Sequence, residues 1–225
     1  MMQSAPRANG FTALGLLLAL GGPLLLASPP AQLLYAAAGT GAALAGQLAL
    51  CGLVVVVLLI LRFGEGAPLS SIGLVRPTIR SVGTGLAIGV GVFVALAAIV
   101  IGLSRLGLFD NAKASEVVLD WPLPFRIAVA AAAGVIEETL YRGYAIERMT
   151  AVIGRRWLAA FLALAGFALA HVPFWGWGGI ATPLVGGVFF TALYLWRRDL
   201  IACIVAHSTI DLIGIVIVPA LAAAG

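Results

Sequence analysis

Residues 82–104 read VGTGLAIGVGVFVALAAIVIGLS, and stretches of this kind decide the fold of the chain. A helix needs roughly 20 apolar residues to cross the hydrocarbon core of a bilayer, and this stretch is long enough. Its apolar residues do not alternate with polar ones, so a strand is not indicated. Because unpaired backbone groups are too costly in lipid, the stretch predicts a transmembrane helix.

Six other stretches share this character, and the whole chain is 62% hydrophobic and only 10% charged. That composition excludes an ordinary soluble domain. We therefore predict an all-α protein, a polytopic transmembrane helical bundle of about seven spans, with eight as the alternative. The six stretches lie at residues 11–28, 37–61, 123–146, 157–174, 179–196 and 200–220.

The basic residues indicate the orientation of the chain. With the N-terminus in the cytoplasm, ten arginines fall in inside segments and three basic residues fall outside, which agrees with the positive-inside rule. The net charge of +4 forms no basic block, so nucleic-acid binding is not predicted. The ten are Arg7, Arg62, Arg76, Arg80, Arg142, Arg148, Arg155, Arg156, Arg197 and Arg198, and the three are Arg105, Lys113 and Arg126.

We expect the chain to divide into an N-terminal two-helix membrane segment (1–64), a cytoplasmic interfacial linker (65–81) and a core (82–225). The first apolar run is long for the core of a signal peptide, and we expect it to stay as the first span. Both cysteines, Cys51 and Cys203, fall in apolar stretches, so no disulfide is predicted. Abundant Ala, Gly and Leu beside a single lysine are typical of high-GC bacteria, which predicts the bacterial inner (plasma) membrane.

A few ionisable residues lie inside the apolar stretches. Glu137 and Glu138 are in the fourth stretch, His171 is in the fifth, and His207 and Asp211 are in the seventh. Charged and titratable side chains are costly in a bilayer and mark functional sites. Taken singly, a histidine or carboxylate of this kind can also be a wet interfacial residue or a packing hydrogen bond between helices. Together they indicate a functional site.

The spacing of these residues predicts that they converge. If the chain turns near Gly154, Glu137 lies 17 residues before the turn (154 − 137) and His171 lies 17 after it (171 − 154). In an antiparallel pair of helices the two side chains come level. His207 and Asp211 are four residues apart and therefore share one helix face.

The adjacent glutamates are expected to differ in role, because neighbouring residues point about 100° apart on an α-helix. Glu138 has Arg142 four residues on, the order that favours an ion pair, so it is interpreted as bracing the helix near its cytoplasmic end. Glu137 has Tyr141 at the same spacing. A carboxylate without a cationic partner is better placed to accept and return a proton, and Glu137 is the candidate for chemistry.

Three motifs in this order resemble those of the CPBP family of intramembrane proteases. The family includes type II CAAX prenyl endopeptidases and the bacteriocin-processing and self-immunity proteins, also called the Abi family. The motifs are Glu-Glu-x-x-x-Arg at 137–142, Phe-x-x-x-His at 167–171, and His-x-x-x-Asn at 207–211, where this chain has Asp in place of Asn. The resemblance covers about 134–214 and implies a protease core.

The resemblance implies that Glu137 activates the hydrolytic water with help from His171, while His207 and the residue at 211 stabilise the oxyanion. An ionised Asp211 would repel an oxyanion, so it must be protonated, orient His207 or serve a metal. Glu137, His171 and His207 also form a donor set of the kind that catalytic zinc sites use. A divalent metal such as zinc is therefore an alternative that the spacing does not decide.

The leading hypothesis is an intramembrane endopeptidase that cleaves near the cytoplasmic side. Glu138 and Arg142 are expected to be supporting residues of its site. Its expected partners are a membrane-embedded or lipidated peptide substrate and the lipid bilayer. A catalytically inactive self-immunity protein or membrane scaffold of the same fold is the second hypothesis. A small proton-coupled transporter is the third, but it predicts inverted repeats and broken helices that the sequence does not show.

Overall fold

The structure is a computed structural model that describes residues 9–28, 30–31, 33, 41–107 and 119–222. It is 88% helical, and no strand occurs in these ranges. The predicted all-α helical membrane bundle is therefore confirmed. Some predictions concern residues outside the described ranges. These are the sides of the membrane predicted for Arg7 and Lys113, and the start of the second span at 37–40.

The helices of the described chain are, in order, α1 (Gly10–Leu26), α2 (Ala42–Leu59), α3 (Ile79–Arg105), α4 (Leu123–Glu137), α5 (Ile146–Ile153), α6 (Arg156–Gly179), α7 (Ala181–Arg197), α8 (Leu200–Leu212) and α9 (Val218–Ala222). Wider π-helical segments continue α2, α4 and α8 at Ile60–Gly64, Glu138–Ala145 and Ile213–Ile217. A short 3-10 turn spans Leu69–Ile72.

Four helical stretches are long and apolar enough to cross a bilayer: Ala42–Gly64, Ile79–Arg105, Arg156–Phe174 and Leu200–Leu221. Helix α1 is apolar but shorter, with 17 residues. The predicted total of seven spans therefore stays a prediction, as does the division of the chain at 1–64, 65–81 and 82–225.

The predicted turn near Gly154 is confirmed. Helix α5 ends at Ile153 and is capped by Gly154, which has φ of +75° and whose N–H donates to the carbonyl of Thr150 at 2.8 Å. Glycine adopts this left-handed cap without steric cost. Helix α6 starts at Arg156, so the chain reverses within a few residues and α6 returns alongside α5 and the π segment.

Helix α8 lies at the centre of the site-bearing half of the bundle, packed against both α3 and α4. On α3, a Cβ at Gly85 would lie 2.7 Å from the carbonyl oxygen of Ala202, and one at Gly89 would lie 2.7 Å from that of Ala206. This glycine-rich stretch therefore packs closely against α8 at two glycines. Gly91 has open space around it instead.

Several segments predicted on the inside meet at one end of the bundle, which we call the basic end. Glu147 on α5 accepts from Arg156 at 2.9 Å and from Arg198 at 2.6 Å. The N–H of Leu200 donates to the carbonyl of Gly73 in the 65–81 segment at 2.9 Å. Loops that are predicted to lie on the same side of the membrane are therefore close together. The side of the membrane that this end faces stays a prediction.

One of the basic residues was assigned wrongly. Arg142 was counted with the inside loops, but its side chain is only 1% exposed and lies in the interior of the bundle. Its neighbours along the π segment are all buried as well. Its buried acidic partner, Glu138, lies on the same π segment and holds the Arg142 side chain in the interior of the bundle. The helix then continues from Arg142 to Ile153 before it reaches the basic end.

Candidate active site

The two glutamates lie where α4 passes into its π segment, close to the crossing of α4 and α8. Gly134, one turn earlier, makes this crossing tight: a Cβ there would lie 2.9 Å from the carbonyl oxygen of Ile204 and 3.0 Å from the backbone nitrogen of Ser208. Small residues allow two helix backbones to approach this closely. The crossing brings the carboxylates of α4 within reach of His207 on α8.

Glu137 lies between the two histidines of the chain. Its Oε2 atom is 3.7 Å from Nε2 of His171 and 3.7 Å from Nε2 of His207. This oxygen is buried and has no hydrogen-bond partner among the described residues, although the side chain as a whole is 23% exposed. The distances are too long for direct hydrogen bonds. The convergence predicted from spacing is present, with side chains from α4, α6 and α8.

His171 is oriented by its own helix. Its Nδ1 atom lies 2.8 Å from the carbonyl oxygen of Phe167, and the two rings are 4.6 Å apart between centroids. A carbonyl oxygen only accepts hydrogen bonds, so Nδ1 carries the proton and donates it. In the neutral ring, Nε2 then presents its lone pair towards Glu137.

Glu138 holds the second histidine from the other side. Its Oε1 atom accepts hydrogen bonds from Nη1 of Arg142 at 3.0 Å and from Nδ1 of His207 at 2.8 Å. The carboxylate is fully buried. The predicted Glu138–Arg142 ion pair is therefore confirmed, but it does not merely brace a helix end. It fixes the ring of His207 so that Nε2 faces Glu137.

Two phenylalanines pack around this ion pair. The guanidinium carbon of Arg142 lies 4.1 Å from the centroid of the Phe167 ring and 5.5 Å from that of Phe190. The Phe190 ring also stacks on His207, with centroids 4.6 Å apart. Cations over aromatic faces are stabilised, most strongly where water is excluded. The phenylalanine of the Phe-x-x-x-His motif thus contacts both Arg142 and His171.

Asp211 lies beside the Nε2 atom of His207, at the edge of the site. Its Oδ2 atom is 3.7 Å from Nε2 of His207, and the side chain is 30% exposed. It therefore faces the same nitrogen as Glu137. Since Glu138 already orients His207 through Nδ1, the structure gives no support to an orienting role for Asp211. A protonated Asp211 and a metal-binding Asp211 stay open.

Glu137, His171, His207 and Asp211 open into a cavity of about 650 Å³ whose other described lining residues carry no ionisable side chain. The lining includes Trp121 before α4 and Phe174 late in α6. Glu137 lies 17 residues from the turn at the basic end, or about 25 Å along a helix. The cavity therefore lies towards the opposite end. Under the predicted orientation this is the outer end, which disagrees with the expected site near the cytoplasmic side.

No group of three His, Cys, Asp or Glu side chains in the described part of the chain is arranged to hold a metal ion. Glu137, His171 and His207 have suitable donor atoms, but as placed they do not form a coordination sphere. The divalent metal therefore stays a prediction, and no step of the reaction below is routed through one.

Two contributors to the site were not predicted, and both lie on α7. Phe190 stacks on His207, and the carbonyl of Gly187 accepts from Nη2 of Arg142 at 3.2 Å. Helix α7 carries no ionisable residue at this level, so its sequence gives no chemical signal. The adjacent Gly186 and Gly187 were a usable sign of close helix approach. A Cβ at Gly187 would lie 2.7 Å from the side chain of Leu164 on α6.

These features define a helical membrane protein with a carboxylate and two imidazoles in an apolar cavity. Residues 119–213 match the family model described as type II CAAX prenyl endopeptidase Rce1-like. The match covers 95 of the 225 residues (213 − 119 + 1) and includes all three motifs. The predicted resemblance to this protease family is therefore confirmed over residues 119–213. No curated protein and no solved structure matches the chain.

Proposed function

We propose that the protein is an intramembrane endopeptidase that hydrolyses a peptide bond of a membrane-associated peptide with a water activated by Glu137. The observation that carries this proposal is the position of the Glu137 carboxylate, 3.7 Å from Nε2 of both His171 and His207 and facing an apolar cavity. The match to a protease family supports the class of reaction.

In the proposed reaction a water molecule bridges Glu137 and His171. Glu137 accepts one proton of this water while the water oxygen bonds to the carbonyl carbon of the substrate. The carbon–nitrogen bond then breaks, and Glu137 returns the proton to the leaving amine. The products are one carboxylic acid and one amine. His171 orients the water through Nε2, which its bond to Phe167 leaves free to accept.

The negative charge on the carbonyl oxygen would be met by His207 and Asp211. Because Nδ1 of His207 donates to Glu138, Nε2 donates as well only when the ring carries both protons. The Glu138 carboxylate is placed to balance that positive charge. Asp211 donates to the same oxygen only in its protonated form.

The proposal is tested by cleavage of a quenched fluorescent peptide by purified protein in proteoliposomes. We expect Glu137→Gln to lower kcat by about 10²-fold or more, since it removes the proton acceptor and leaves the volume unchanged. His171→Ala should lower kcat too. Glu147→Gln at the basic end, outside the cavity, is the control and should retain activity. Cleavage by Glu137→Gln at the parent rate would refute the mechanism, and metal analysis of the active protein decides whether a divalent ion takes part.

A further inference from the structure

The cavity contains polar side chains that the proposed reaction does not use. Apart from the four residues of the site, the described lining residues with a hydrogen-bonding side chain are Gln47, Trp121 and Thr182. The Oγ1 atom of Thr182 is buried and has no hydrogen-bond partner among the described residues. A buried hydroxyl without a partner is costly, because it has lost its hydrogen bonds to water. Thr182 therefore points to a ligand of the cavity.

The place of Thr182 in its helix explains why the helix does not satisfy the hydroxyl. Thr150 and Thr209 bond to the carbonyl oxygens four residues before them, those of Ile146 at 2.6 Å and Val205 at 2.7 Å. This is the usual partner of a threonine inside a helix. Thr182 is the second residue of α7, so the residue four places earlier belongs to the preceding helix α6. Its hydroxyl is left to a group that enters the cavity.

Helix α7 also gives the distance of Thr182 from the reacting groups. The carbonyl of Gly187 bonds to Arg142, the partner of Glu138, and so lies level with that buried pair. Thr182 lies five residues before Gly187, or about 8 Å along the helix, on the side away from the basic end. An extended peptide covers about 3.3–3.6 Å per residue. Thr182 is therefore about two or three peptide residues from the site.

A second unused polar group comes from α2. Gln47 is the one side chain of α2 that carries nitrogen or oxygen atoms, and it lines the same cavity. It lies 18 residues before Glu65 (65 − 47), or about 27 Å along the helix, and Glu65 bonds to Tyr144 and Arg148 towards the basic end. Gln47 is therefore on the same side of the site as Thr182. A polar side chain within a membrane-spanning helix is costly and marks a functional position.

The chemistry of these two side chains matches the main chain of a peptide. A hydroxyl and a carboxamide each donate and accept, and neither carries a charge. Peptide N–H and C=O groups must be paired when they leave water, and in a helix most of them are already paired with one another. An extended segment in an apolar cavity, by contrast, needs partners from the protein.

We propose that Thr182 and Gln47 bind backbone peptide groups of an extended substrate segment, with Thr182 about two or three residues from the cleaved bond. This inference rests on the proposed peptidase function and adds a mode of recognition to it. The substrate is an apolar segment that is unwound in the cavity and held there by its main chain, at positions other than the bond that reacts.

The test uses the peptide of the cleavage assay, whose cleaved bond is first located by mass spectrometry. In a series of peptides, one peptide bond at a time within four residues of the cleaved bond is replaced by an ester. The ester lacks the N–H donor, and its carbonyl is a weaker acceptor. Wild type should lose about three- to tenfold in kcat/KM at one position for each of the two side chains. The loss should be mostly in KM, as expected for a neutral hydrogen bond that also forms before the reaction.

Thr182→Val removes the hydroxyl and keeps the shape of the side chain. It should lower kcat/KM for the parent peptide about three- to tenfold and abolish the effect of one ester, two or three residues from the cleaved bond. Thr182→Ser keeps the hydroxyl and should keep the effect of that ester. Gln47→Met should abolish the effect of a different ester. If it leaves all ester effects as in wild type, Gln47 is not part of the binding site.

Thr191→Val is the matched control. The Oγ1 atom of Thr191, on the same helix, is also buried without a partner among the described residues, but Thr191 does not line the cavity. This variant should change neither kcat/KM nor the effect of any ester. Thermal unfolding of each variant shows whether it is folded, and Thr182→Ala takes the place of the valine variant if that variant is not.

Two results would overturn the inference while cleavage itself still supported the peptidase: esters without effect on wild type, or equal losses on the parent and on every ester peptide in Thr182→Val. If no peptide is cleaved, the peptidase proposal fails. Binding of the labelled parent and ester peptides to the protein, measured by fluorescence anisotropy, then decides the inference. Weaker binding of one ester that depends on Thr182 would support it, and equal binding of all peptides would refute it.

Discussion

Among single residues, Glu138 shows most clearly how a buried charge serves the site. Its carboxylate is fully buried and accepts from both Arg142 and His207. Taking an ion pair out of water is expensive, and the attraction compensates only when the remaining hydrogen bonds are well made. Here the guanidinium also donates to Gly187 and packs on Phe167. The arrangement orients His207 and depends on both partners being present.

We therefore expect Glu138→Ala to destabilise the protein by about 3–5 kcal/mol, because it leaves Arg142 buried without its partner. The variant should also lose activity, since Nδ1 of His207 loses the group that holds it. Equilibrium unfolding in mixed micelles measures the first effect and peptide cleavage the second.

The double variant Glu138→Ala with Arg142→Met is the control for this prediction. Removing both charges should restore part of the stability without restoring activity, because an apolar replacement of a buried pair is tolerated better than a broken one. A double variant no more stable than Glu138→Ala would contradict this explanation of the buried pair.

Among the helices, α3 carries one glycine that is packed tightly against a neighbouring helix and another that has open space around it. Gly89 faces α8, where a Cβ would lie 2.7 Å from the carbonyl oxygen of Ala206 and 2.8 Å from Cβ of Thr209. Gly91, two residues later, has nothing within 4 Å. The same residue type therefore sets a helix crossing at one position and is free to vary at the other. The crossing matters for the site because α8 carries His207.

We expect Gly89→Ala to cost about 1–3 kcal/mol, since the added methyl group meets backbone that cannot move without shifting α8. Peptide cleavage should fall as well if α8 is displaced. Gly91→Ala should cause no loss and a gain of up to about 1 kcal/mol, because alanine favours a helix more than glycine. Unfolding of both variants under the same conditions gives the comparison, and equal stabilities would show that the crossing is looser than described.

In the whole molecule, the candidate site and the basic end lie towards opposite ends of the bundle. The turn at Gly154, the turn at Arg198 and the segment around Gly73 meet at the basic end. The lining of the cavity includes Trp121 and Phe174, which lie away from the basic end. If the positive-inside rule holds, substrates reach the cavity from the outer half of the bilayer.

Cysteine labelling in intact cells tests this orientation. In a background with Cys51 and Cys203 replaced by alanine, Arg155→Cys marks the basic end and Asp120→Cys marks the other end, and both positions are exposed. A membrane-impermeant maleimide should label the cysteine at 120 in intact cells and the cysteine at 155 only after permeabilisation. The reverse pattern would place the basic end outside and the cavity towards the cytoplasm.

Much of the fold could be predicted from the chain because it depends on local properties. Uncharged stretches such as 82–104 predict helices in lipid wherever they occur, and Gly154 marks a turn by its own conformational freedom. The Glu138–Arg142 pair is also local, since four residues of helix bring the two together. The π segment at Glu138–Ala145 had no such signal, because its wider turn depends on the helices packed around it.

The sequence by itself determined that this is a helical membrane protein with Glu137, His171 and His207 able to come level. Only the tertiary structure decided that Glu138 orients His207 and that Phe190 stacks on that ring. The physical reason is the range of the contacts. Properties of one helix follow from neighbours three or four residues apart, whereas these contacts cross between helices whose spacing and rotation are set by packing along the whole bundle.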